Sequence, residues 1–122
     1  MNERELKKIV KVNILGTNYE IIFKSDSEEV RLKENWGFTD YHTKEIYIND
    51  DIEKETDNSC KNLIDFKNKV LRHEILHAFL YESGLRENSF GSSSWAENEE
   101  MVDWFAIQFS KILKVYKELN II

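Results

Sequence analysis

Residues 60–83 read CKNLIDFKNKVLRHEILHAFLYES, and two patterns coincide in them. Leu63, Phe66, Val70, Leu71, Leu76 and Phe79 recur at helical spacing, and Gly84 follows as a C-terminal stop. The same stretch contains His73-Glu74-Ile75-Leu76-His77, the pattern H-E-x-x-H. Side chains four apart stack on one face of an α-helix, so both imidazoles can reach one ion, and zinc, with nitrogen ligands at ~2.0–2.1 Å, suits that geometry. Glu74 projects about a quarter-turn away, where a carboxylate acts on a water held by the same metal instead of binding the metal itself. The chain has three histidines, and two of them bracket a Glu in this register on a helix assigned independently from its apolar residues. The third, His42, falls in a strand turn and is read as a surface or packing residue.

Downstream, Arg86 to Ser93 has little apolar content and is expected to be a surface loop. Ser94-Trp95-Ala96-Glu97 matches the capping box and predicts a second long helix from there to about Glu118, buried along Val102, Phe105, Phe109, Ile112, Leu113 and Tyr116. Its first turns supply the third metal ligand, because no other His or suitably placed Cys follows. Glu97, Glu99 and Glu100 are the candidates. Glu99 is favoured because Asp103, four residues on, shares its face and can accept the free N–H of a ligating imidazole. The bland alternative is that these acids only complement the helix dipole. Tyr81, one turn beyond His77, is a candidate substrate or oxyanion contact, or else a wall residue. Trp36, Trp95 and Trp104 are assigned to packing and Cys60 to an ordinary thiol at the helix start.

Upstream, Ile9 to Leu15 and Tyr19 to Phe23 flank Gly16-Thr17-Asn18 and predict a β-hairpin. Lys24 to Asn35 is polar and reads as a loop or short helix. Trp36 to Tyr41 and Lys44 to Asn49 give a second pair of strands, and Asp50 to Ser59 favours turns leading into the helix. The expected fold is α+β: a small antiparallel sheet of three to four strands, followed by two long helices that carry the metal site. With 122 residues there is room for one core, so residues 1–122 are taken as a single domain.

Composition narrows the function. A net charge of −6, with 17 Lys and Arg scattered among acids, offers no basic stripe for nucleic acid. A lone cysteine and the lack of a leader-like apolar segment point to the cytoplasm, and no apolar run approaches the ~20 residues of a membrane span.

H-E-x-x-H on one helix with Glu99-x-x-x-Asp103 opening the next looks like the gluzincin arrangement, and Asn98-Glu99-x-x-Val102-Asp103 is similar to the thermolysin-type second motif. Glu99-x-x-Val102-Asp103-x-Phe105-Ala106 more closely resembles the E-x-x-A-N/D-x-F-A pattern of the ImmA/IrrE metallopeptidases of phages and bacteria. That resemblance spans Leu71 to about Ala106; beyond it, Ile107-Gln108-Phe109-Ser110 departs from the family's Leu-Leu-Met-Pro. It implies a zincin-like domain that cleaves a repressor-type regulator in the cytoplasm. The expectation is a zinc endopeptidase with His73, His77 and Glu99 on the metal, Glu74 as base and acid, Asp103 supporting a ligating imidazole, and a protein or peptide substrate. The alternative is a zinc-stabilised binding module, such as a phage accessory protein, that does not cleave its partner.

Overall fold

A computed structural model of the chain describes residues 9–53, 62–87 and 95–122. Strands β1 (Ile9–Ile14) and β2 (Thr17–Lys24) form the expected hairpin, with Ile14 paired to Thr17. Its two-residue turn is Leu15-Gly16, both at positive φ (50° and 93°), the combination that matches the twist of the flanking strands. Strands β3 (Gly37–Asp40) and β4 (Glu45–Asn49) form a second antiparallel pair. The Asp40 carboxylate accepts from the amides of His42 and Thr43, each at 3.1 Å, and holds the connection.

The sheet is mixed, which corrects the expectation of an antiparallel one. Its order is β1-β2-β4-β3, and β2 runs parallel to β4 with Ile21 opposite Ile46. Residues 25–36 carry the chain across to the far edge, so β3 forms outside and β4 returns between it and β2. Burial explains the choice: Ile46, Tyr47 and Ile48 are consecutive and 0%, 7% and 0% exposed, which only an interior strand covered on both faces provides.

On one face, Ile14, Tyr19, Ile21, Ile46 and Ile48 pack against helix α1 (Leu63–Glu82) through Val70 and Ala78. On the other, Ile22 and Tyr47 are covered by Leu32, from a 3-10 turn at Val30–Leu32. Gly37 lies where β3 passes under α1: a Cβ there would sit 3.0 Å from Val70 Cγ1 and 3.0 Å from the Tyr47 carbonyl. Helix α1 starts at an Asn62 cap, whose side chain accepts from the Asp65 amide, and ends before Gly84 at φ 83°. Its last turn is tied to the sheet by Glu82, which accepts from Tyr19 Oη (2.7 Å), Thr17 Oγ1 (2.9 Å) and Lys44 Nζ (3.0 Å). Those bonds, Tyr19's first, hold the Glu82 carboxyl below the usual carboxylate range.

Helix α2 (Glu99–Glu118) begins later than expected. Trp95–Glu97 form a 3-10 turn and the cap is Asn98, whose side chain accepts from the Met101 amide at 2.9 Å. Ser94 and Cys60 lie outside the described residues. The helix runs antiparallel to α1, His77 meeting Glu99 and His73 meeting Asp103, with Lys69 Nζ 3.5 Å from Asp103 and Arg72 Nε donating to the Ala106 carbonyl.

The expected buried stripe holds only at its start. Val102 and Ala106 are buried, whereas Phe109 and Tyr116 are 47% and 42% exposed. Trp36, Trp95 and Trp104 are outside the core, at 53%, 56% and 53% exposure, although Trp36 packs edge-on against Phe66 and Trp104 against Phe105. No helix among the described residues is long and apolar enough to cross a membrane.

Candidate metal centre

Helical spacing on α1 brings the rings of His73 and His77 to 4.8 Å between centroids, with their Nε2 atoms 3.1 Å apart. Both side chains are mostly covered, at 16% and 12% exposure. The first turn of α2 places the Glu99 carboxylate across them, with Oε2 2.9 Å from His73 Nε2 and Oε1 3.1 Å from His77 Nε2. One ligand atom from each residue thus falls within a 4.8 Å cluster able to hold a metal ion. Of the three glutamates left open by the sequence, Glu99 is the one in this cluster. Glu100 is exposed, and the Glu97 side chain lies outside the described residues.

His73 Nδ1 is 2.8 Å from Asp103 Oδ1. A carboxylate can only accept, so Nδ1 carries a proton, and in the neutral ring Nε2 then presents a lone pair towards Glu99. Burial raises the Asp103 carboxyl, but the His73 bond and Lys69 outweigh it and leave it below the usual range. A lone pair and an anionic oxygen 2.9 Å apart repel each other unless a positive charge lies between them. A proton or a metal ion satisfies that requirement. The two-nitrogen, one-carboxylate set suits zinc, and one ligand atom from each residue lies within 4.8 Å of the others.

Glu74 is 7% exposed and sits between the cluster and the sheet. Its Oε1 accepts from Thr39 Oγ1 at 2.9 Å, and the same hydroxyl lies 3.0 Å from the Glu74 carbonyl. Burial lifts the Glu74 carboxyl above its ordinary range, against the lowering influence of His77, Thr39 and His73. Thr39 is a site residue that sequence reasoning missed. Alternation in β3 gives the signal for it: Phe38 joins the cluster beneath the sheet, so Gly37 and Thr39 face α1.

Tyr81 forms a wall. Its ring stacks on that of Tyr41 at 4.5 Å and 15°, with Arg86 4.5 Å over Tyr41 and Lys44 4.8 Å over Tyr81. Burial pushes the Tyr41 hydroxyl up to about 12; Arg86 opposes that, and the charges of Glu74 and Glu99 add to it. Tyr41, from the β3–β4 connection, is thus a second missed neighbour of the site. His42, beside it, is exposed and outside the cluster.

No family model, curated protein or solved structure matches the chain. The donor set and its surroundings carry the functional reading.

Proposed function

We propose that the chain is a zinc-dependent endopeptidase of the gluzincin kind. The observation that carries this reading is the juxtaposition of the His73, His77 and Glu99 cluster with a buried carboxylate, Glu74, that is oriented from the sheet by Thr39. Zinc on those three residues would supply Lewis acidity and bring the pKa of a bound water towards ~7. Glu74 would be the carboxylate placed to accept a proton from such a water and pass it to a leaving amine. Asp103 keeps His73 in the tautomer whose Nε2 is free to ligate.

A substrate path is available. β3 is an outer strand of the sheet, and Trp36 directs its carbonyl to Asn49 of β4 at 2.8 Å. By antiparallel alternation, the backbone groups of Gly37 and Thr39 point outward, where an extended peptide can pair beside Glu74. The resemblance to the ImmA/IrrE group supports a repressor-type regulator as substrate and the cytoplasm as the setting.

The test is metal content together with hydrolysis of a peptide library, before and after chelation and with zinc restored. Chelator-sensitive cleavage that returns with zinc is expected. A protein that takes up no transition metal on titration would end the proposal.

Two substitutions examine the parts. Asp103→Ala is expected to weaken zinc binding about 10–100-fold, the usual loss when a ligand's hydrogen-bond partner is removed, as measured by competition with a chromophoric chelator. Thr39→Val, which keeps the shape but removes the donor, is expected to lower kcat about 10–100-fold at unchanged zinc content. That matches the loss of one hydrogen bond to a charged group, worth ~1.5–3 kcal/mol, and Thr39→Ser is expected to restore most of it.

A further inference from the structure

The outer part of α2 carries a second pattern that the metal centre does not use. Val102, Phe105, Phe109, Ile112, Tyr116 and Leu119 follow one another at alternating steps of three and four, the heptad seam of a helix that pairs with another helix. Val102 is buried, whereas Phe109, Tyr116 and Leu119 farther along the seam are 47%, 42% and 63% exposed. The positions flanking the exposed seam, Gln108, Leu113 and Val115, are uncharged. Lys111, Lys114, Lys117 and Glu118 lie on the opposite side of the helix.

We propose that this face is a self-association surface, on which two copies of the chain pair through the outer halves of their α2 helices. Three features favour a second copy as the occupant. A charge-free seam lets two molecules of net charge −6 meet without placing like charges in contact. An antiparallel two-fold arrangement sets Phe109 of one copy against Leu119 of the other and Ile112 against Tyr116, so that each large residue meets another and the contact stays clear of the section of α2 covered by α1. The exposed apolar side chains, including Val115, Ile121 and Ile122 at 49%, 66% and 72%, amount to an area that closes a small dimer. On the order of 600 Å² from each copy gives about 1,200 Å², the lower end of specific interfaces, where weak and reversible pairs are found.

Sedimentation equilibrium on the full chain from about 5 to 500 μM is the test, a span that brackets a micromolar dissociation constant. The wild type is expected to move from 14.6 kDa towards twice that mass. The double variant Phe109→Glu, Tyr116→Glu is expected to stay at the monomer mass while keeping wild-type helical circular dichroism and metal content. Lys114→Glu, on the opposite side, is expected to dimerise as the wild type does. A wild type that remains monomeric across the whole range overturns the proposal, whatever becomes of the variants. So does a folded double variant that dimerises with wild-type affinity.

Discussion

Glu74→Gln is expected to lower peptide hydrolysis by about 10²–10⁴, the usual contribution of a positioned general base, with zinc content unchanged. Glutamine keeps the length and one carbonyl oxygen, so the Thr39 hydroxyl retains its acceptor. What disappears is the basic carboxylate. The fold should not suffer. Glu74 is buried and its pKa is raised above 4.5, so any stability linked to its proton is present below that value and lost as pH rises through the folded pKa. At neutral pH the charged form is therefore a burden on the folded state, and a neutral side chain should leave Tm equal or higher. Wild type and variant assayed side by side on one substrate panel, with zinc content and thermal unfolding measured on both, separate the two functional readings. A zinc-stabilised binding module would engage its partner equally well with either side chain and cleave with neither.

Glu99→Ala is expected to reduce zinc affinity by more than the ~100-fold upper end of outer-shell losses, because it removes a ligand instead of a ligand's support. Glu100→Ala should leave the affinity essentially unchanged. The two residues are adjacent and equally acidic, so any general effect of negative charge at the start of α2 is common to both, a few tenths to ~1 kcal/mol of helix-dipole interaction. They differ in direction: only the Glu99 carboxylate reaches both imidazoles, at 2.9 and 3.1 Å. Glu99 is 68% exposed, so its removal should not disturb packing. A larger loss at Glu100 would mean that α2 is rotated by one residue from the position described.

Local periodicity made most of the metal cluster legible in advance. His73 and His77 converge because an α-helix repeats every 3.6 residues, and Glu99 and Asp103 share a face for the same reason. The hairpin could be read from β-branched residues around Gly16, and the end of α1 from Gly84. The second cap was misplaced because Ser94 to Glu97 and Asn98 both carry capping residues. Sequence alone does not rank them; the helix opens after Asn98.

Sequence by itself therefore determined the two helices, the histidine pair on the first, the acids offered by the second and a sheet of three to four strands, all of which depend on neighbours within a turn or a hairpin. Only the tertiary structure decided what depends on residues far apart in the chain. The parallel pairing of β2 with β4 follows from burying Ile46, Tyr47 and Ile48 on both faces, a demand set by the whole sheet and by α1. Thr39 reaches Glu74 across 35 positions of sequence because β3 is the outer strand beneath α1. The exposure of Phe109 and Tyr116 reflects how two helices of equal length are offset, with the contacts to α1 made from the Glu99 end of α2. Amphipathic spacing states which face of a helix is apolar, but whether that face is covered depends on where its neighbour ends.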